Sequence, residues 1–111
     1  MPKKILDPLP SAAFQILLAL VDGDSHGYAI MRLVAEQTSG CMRLGPGTLY
    51  SSLQSLLEAA CIEEVDCKGA DRRRCYRMTV AGRKRVREEV ERLEELVRVA
   101  RSKRLLEGEY V

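Results

Sequence analysis

Tryptophan is absent from this 111-residue chain, phenylalanine and histidine occur once each, and aromatics make up only 5% of it. A single histidine, His26, cannot supply a histidine-rich metal centre, and it has no obvious serine or cysteine nucleophile in sequence reach. Long apolar runs are missing too. The stretch from Ala12 to Val21 contains Gln15 and is too short to span a bilayer. The opening Met1-Pro2-Lys3-Lys4, interrupted soon after by Asp7, Pro8 and Pro10, lacks the form of a secretory leader. The expectation is a soluble cytoplasmic protein with no membrane partner. Four cysteines are present (Cys41, Cys61, Cys67 and Cys75), with no pair in C-x-x-C spacing. Without a leader they read best as small hydrophobes.

What is present is a globular composition, 46% hydrophobic and 31% charged. The length allows one domain with a modest core, or half of a core that a partner completes. The net charge of +2 conceals a segregation. Residues 1–40 sum to −1, residues 41–87 to +5 and residues 88–111 to −2. Between 67 and 87, nine basic residues face Asp71 alone. Concentrated positive charge of this kind suits phosphate, although a basic run by itself is ordinarily a solvated face.

Periodicity predicts a first helix from Ser11 to about Val21, with Phe14, Leu17, Leu18 and Val21 as its stripe. Asp22-Gly23-Asp24 stops it. Ser25 can cap a second helix, whose stripe is Ile30, Leu33 and Val34 and whose end is Ser39-Gly40. Gly27 in this helix is ascribed to close packing by a neighbour, in preference to backbone contact with a phosphate. Gly45-Pro46 opens a third helix, proline being harmless in the first turn. At 100° per residue, Leu49, Leu53, Leu56 and Leu57 share one face, opposite Gly47, Ser51, Gln54 and Ser55 and flanked by Thr48 and Tyr50. That outer face is polar but uncharged in a chain rich in ions. Such a surface tolerates insertion into a DNA major groove, where Gln54 could read an adenine edge.

Ile62 to Cys67 and Arg73 to Met78 read as antiparallel strands around the tip Lys68-Gly69-Ala70-Asp71-Arg72. Thr79 then caps a fourth helix running to about Leu106. In it Val86, Val90, Leu93, Val97 and Ala100 follow a heptad seam, with i,i+4 pairs Lys84–Glu88, Arg85–Glu89 and Glu94–Arg98. Two heptads do not sustain a coiled coil alone, and a helix of this length outreaches the domain before it. The seam is therefore expected to dimerise. The fold class that follows is mainly α with a small β-hairpin: a winged helix-turn-helix over residues 1–78, continuous with a dimerisation helix over 79–107.

Three segments in this order, HGYAI at 26–30, GTLYSSLQSL at 47–56 and CYRMTVAGR at 75–83, resemble the PadR family of bacterial winged-helix transcriptional regulators. The resemblance spans roughly residues 10–105, and the single terminal helix looks like the small-subunit branch of that family. It implies a homodimeric repressor on an inverted-repeat operator in double-stranded DNA. By position, Thr48, Tyr50 and Ser51 would enter the groove, Tyr28 would lie near a phosphate, and Lys68, Arg72 and Arg73 would form the wing contacts. Tyr76 would pack under the wing. The family often binds small aromatic or planar effectors near the dimer interface, which sits poorly with the scarcity of aromatics here.

Two other classes compete. A thiol- or metal-responsive sensor would use Cys61, Cys67 and Cys75, two of which flank the hairpin tip near basic residues that favour thiolates. A protein–protein adaptor would turn the basic tip towards an acidic partner. No enzyme activity, catalytic residue, metal or cofactor is expected.

Overall fold

A computed structural model describes residues 6, 8–67 and 74–106. Its elements are α1 (Ser11–Ala19), β1 (Ser25–His26), α2 (Gly27–Gln37), α3 (Pro46–Glu58), β2 (Ile62–Asp66), β3 (Arg74–Met78) and α4 (Val80–Ser102). The strands form an antiparallel sheet in the order β1-β3-β2. The expected hairpin is therefore one strand too few. Ser25 pairs with Tyr76 and His26 with Cys75, so β3 is central. A two-residue strand carries no period of its own, and Ser25 resembled a helix cap because hydroxyls usually fill that place. The cap is instead His26, whose Nδ1 accepts the Ala29 N–H at 3.2 Å.

The core is aliphatic. Ile16, Leu17, Ile30, Val34, Leu49, Leu53 and Leu56 are all at most 1% exposed, so α1, α2 and α3 meet along these residues. The inward face of α1 is Ala13, Ile16 and Leu17, whereas Leu18 is exposed. Of the expected stripe of Phe14, Leu17, Leu18 and Val21, Leu17 is fully buried and Phe14 packs partly against the core, but Leu18 points outward and Ala13 and Ile16 take inward places. With nearly every residue of α1 apolar, its periodicity could not choose between faces. The helix also stops at Ala19, earlier than expected.

Two helix ends set up the site. Ser39 adopts φ 52° and Gly40 φ 80° after α2, and Gly40 N–H donates to the Ala35 carbonyl at 2.7 Å. Ala60 takes φ 60° after α3, and Cys61 N–H reaches back to the Leu56 carbonyl at 2.9 Å. Both satisfy carbonyls that a helix terminus leaves open. The second end is stitched to the start of α4. Thr79 donates its hydroxyl to the Ala60 carbonyl at 2.7 Å and its N–H to the Cys61 carbonyl at 3.0 Å. The same hydroxyl accepts the Gly82 N–H at 3.0 Å, the cap expected for Thr79.

Helix α4 packs inward through Gly82, Val86 and Glu89, then leaves the body. The radius of gyration is 15.7 Å, against about 13 Å for a compact chain of this length. Of the expected seam, Val86 belongs to this chain's own core, Leu93 and Ala100 are half-buried, and Val90 and Val97 are exposed. The seam is thus shared between the body and the open face. The helix ends at Ser102, short of the expected Leu106. Arg98 pairs with Glu95 and not with Glu94, while Arg85 stands 4.0 Å from Glu89 as the spacing implies.

Glu89 is buried yet paired, with Arg92 donating to it through Nε at 3.1 Å and through Nη2. Those bonds hold its carboxyl below the usual carboxylate range, against the opposing effect of burial. Because the folded-state value is the depressed one, this stabilisation is complete above the unfolded value of about 4.3 and is lost as pH falls through the folded one. Glu89→Gln is therefore expected to lower the melting temperature at pH 7 and to flatten its decline below about pH 4.5. A variant whose acid decline matches the parent would show that the ion pair contributes nothing to it.

Candidate nucleic-acid interface

On α3 the buried leucines press Leu49, Leu53 and Leu56 into the core, which turns Thr48, Tyr50, Ser51 and Gln54 outward. Ser55 is half-buried. The opening of this helix is bare. Gly45 caps it without any side-chain hydrogen bond, and a Cβ built on Gly45 or Gly47 would meet nothing within 4 Å. No packing demand explains either glycine. Their effect is to leave the first backbone N–H groups and the positive end of the helix dipole open to an approaching anion.

Helix α2 begins against this face. Tyr28 is 60% exposed, and the Arg32 guanidinium lies 5.9 Å from its ring centroid. A Cβ on Gly27 would sit 2.9 Å from Tyr50 Oη and 3.3 Å from Leu49 Cδ2. Gly27 is thus what lets α3 and Tyr50 lie close, as its packing assignment required. Between the two helices and the sheet opens a cleft of about 630 Å³ lined by His26, Gly27, Tyr28, Tyr50, Arg74 and Tyr76. Tyr76 is buried at its base, and burial pushes its hydroxyl pKa up, with Glu64 and Tyr50 adding to the effect and Arg74 opposing it. It remains a neutral phenol.

The sheet positions the wing. Strands β2 and β3 pair from Ile62↔Met78 to Asp66↔Arg74. Arg77 forks onto Asp24 at 3.2 and 2.9 Å, tying β3 to the turn after α1. That bond raises the Arg77 pKa further and removes this arginine from the set available to phosphate. Arg85 is likewise committed, donating to the Leu6 carbonyl at 3.0 and 2.6 Å. The basic run counted in the sequence is therefore partly structural, and composition could not separate the two uses. The wing-tip residues Lys68, Arg72 and Arg73 lie outside the described residues.

The cysteines behave differently from expectation. Cys67 and Cys75 are joined by a disulfide, whereas Cys41 and Cys61 carry free thiols. Cys61 is buried, and burial pushes its thiol pKa up, so it fits the small-hydrophobe description. The pair at 67 and 75 does not. The signal was present in the sequence, since two cysteines flanking a hairpin tip are brought near one another when the strands pair; here Cys75 is opposite Val65, and Cys67 lies diagonally across, just past the last pair Asp66↔Arg74. Among the described residues no cluster of three or more His, Cys, Asp or Glu side chains could hold a metal ion. No helix among them is long and apolar enough to cross a membrane.

Comparison with known proteins places this geometry. The pattern of the Transcriptional regulator PadR-like family matches residues 16–88. A transcriptional regulator from Clostridium thermocellum is 30% identical, with a TM-score of 0.69 over 78% of this chain and 86% of that one. A PadR family transcription regulator from Clostridium difficile superposes with a TM-score of 0.73 at 21% identity, over 82% and 95% of the two chains. Bacillus subtilis PadR in complex with operator DNA superposes at 0.64 with 18% identity, over 73% and 47%. Both of these share the winged-helix fold. An uncharacterised 37.1 kDa protein in transposon TN4556 of Streptomyces fradiae is 44% identical over 72 residues, 65% of this chain. The chain spans about a fifth (20%) of that relative's length.

Proposed function

The chain belongs to the PadR-like family of transcriptional regulators, and from that premise we propose that it binds an inverted-repeat operator in double-stranded DNA as a cytoplasmic homodimer and acts as a repressor. The observation that carries this reading is the exposed, uncharged face of α3 with its uncapped, glycine-opened N-terminus. Thr48, Tyr50, Ser51 and Gln54 present hydroxyl and amide groups on a surface without long cations, and the helix's carboxylate, Glu58 at its far end, accepts a hydrogen bond from Gln54 Nε2 at 3.3 Å. In this reading α3 enters the major groove. Tyr28, at the start of α2, contacts the flanking phosphate, and Lys68, Arg72 and Arg73 contact the backbone beyond it.

Phosphate contacts would supply most of the affinity, and base-edge contacts the register and sequence preference. With about three phosphates neutralised per subunit, a dimer has a log–log salt slope of roughly −5. The test is to select bound fragments from genomic DNA, then titrate the enriched palindrome by gel shift at several salt concentrations. Arg72→Ala combined with Arg73→Ala is expected to weaken binding to every sequence and bring the slope to about −2. A slope that does not change in this variant would detach the wing from the DNA.

Dimerisation is supported by the apolar surface that α4 leaves uncovered: Val90 and Val97 at 43% exposure and Leu96 at 49%. Solvated helices of this composition normally bury such a stripe against a partner. Val97→Glu should leave the monomer folded, because Val97 makes no part of the core, and should halve the mass seen in light scattering. A dimer of parental mass would move the interface elsewhere. An effector held between paired α4 helices would meet aliphatic side chains, so a planar stacking compound is no part of this proposal.

A further inference from the structure

We propose that Cys67 and Cys75 form a reversible dithiol–disulfide modification site, oxidised by peroxide, that sets how tightly the wing grips phosphate. The effect on affinity rests on the DNA-binding reading above; the modification itself does not.

The pair lies where β2 and β3 hand over to the tip. Cys75 sits in the central strand, between Val65 of β2 and His26 of β1, and is 7% exposed. Cys67 follows the last paired residues, Asp66 and Arg74, and is only half-buried. Their Cα atoms are 5.1 Å apart, within the range a disulfide bridges without moving the backbone. A cleft of about 400 Å³, lined by Gly23, Asp24, Asp66 and the two cysteines, opens directly onto the bond. A small neutral oxidant or a dithiol reductant can therefore reach it. In a reducing compartment an accessible disulfide of this kind is a transient, responsive bond and not a permanent brace.

The chemistry balances with hydrogen peroxide as the oxidant. The more accessible Cys67 thiolate attacks one peroxide oxygen, the O–O bond breaks, and a sulfenic acid forms with release of water. The Cys75 sulfur then attacks the sulfenic sulfur, forming the S–S bond and expelling the second water. The two thiols lose two electrons and two protons in all. A dithiol reverses the step by exchange.

The consequence follows from what the bond encloses. Between Cys67 and Cys75 the chain carries Lys68, Arg72, Arg73 and Arg74, against Asp71 alone. Closing this short ring restricts the segment that bears those charges before any phosphate is met, so less conformational entropy is lost on binding. Reduction returns that freedom while the charges stay the same. The oxidised protein is the tighter DNA binder.

The test uses the full chain in a Cys41→Ser background, which keeps the exposed thiol from cross-linking copies. Thiol titration under denaturing conditions should find three thiols after dithiothreitol and one after peroxide, because Cys61 is then the sole thiol left. Gel shift on the selected operator should show about tenfold weaker binding after reduction. The further variant Cys67→Ser with Cys75→Ser should bind like the reduced protein in either condition. Three thiols after peroxide would overturn the modification site. One thiol with equal affinity in the two states would overturn its control of the wing. One thiol with no DNA binding in either state would overturn the DNA-binding reading itself, and the control with it.

Discussion

Replacing Ser51 with glutamate is expected to abolish operator binding, weakening it by about 100-fold or more, while leaving folding intact. Ser51 is exposed in the middle of the outer face of α3, and the hydrogen bond shown for its hydroxyl is a 3.4 Å one to the Thr48 carbonyl. Nothing in the core depends on it. Glutamate is at least as good a helix former as serine, so melting should hold within about 0.5 kcal/mol. Against DNA the same carboxylate meets a field of phosphates from which water is largely displaced. Like charges brought together at an interface cost several kcal/mol, and each 1.4 kcal/mol is about a factor of ten. A gel shift beside a thermal melt separates the two effects. Parental affinity in a folded variant would remove α3 from the interface.

Gly82→Ala is expected to have the opposite profile, a large loss of stability at a residue outside the α3 face. A Cβ there would lie 2.0 Å from the Cys61 carbonyl oxygen and 2.9 Å from its carbon. These are backbone atoms, and they are held in place because that carbonyl already accepts the Thr79 N–H. Relief requires α4 to move off the end of α3, which breaks the Thr79 bonds to the Ala60 and Cys61 carbonyls as well. The cost should be about 3 kcal/mol or more, at the upper end for overpacking. That corresponds to a melting temperature lower by at least about 10 °C. Gly47→Ala is the matched control. Its added methyl enters open space, so the substitution should stabilise the helix by up to about 1 kcal/mol. Equal melting temperatures in the two alanine variants would refute the close contact between α4 and Cys61.

These two residues illustrate how far the sequence could be read. The leucines of α3 announced their face because Leu49, Leu53 and Leu56 recur at helical spacing against a polar background, so Ser51 could be placed on the outside. Thr79 and the start of α4 were legible for a similar reason, since a hydroxyl before a helical run is a local signal. Gly82 was not. Its role arises from a carbonyl 21 positions earlier in the chain, and no local pattern carries that distance. The same holds for β1, a strand created by its partner, and for His26, whose capping role was masked by the better-looking Ser25. Long-range ion pairs such as Arg77 with Asp24 were equally silent, which is why the basic run looked more available than it is. The seam of α4 was visible as a repeat, but its division between this chain's core and an open face depends on where the body ends.

In the proposed reading, two α3 faces carried by one dimer strike the same side of the duplex. Hydroxyl-radical footprinting of the selected operator tests this most directly. Two protected patches, related by the palindrome and centred about 34–36 Å apart along one face of the helix, are the predicted result. A single patch, or protection that follows the whole backbone without a two-fold centre, would contradict it.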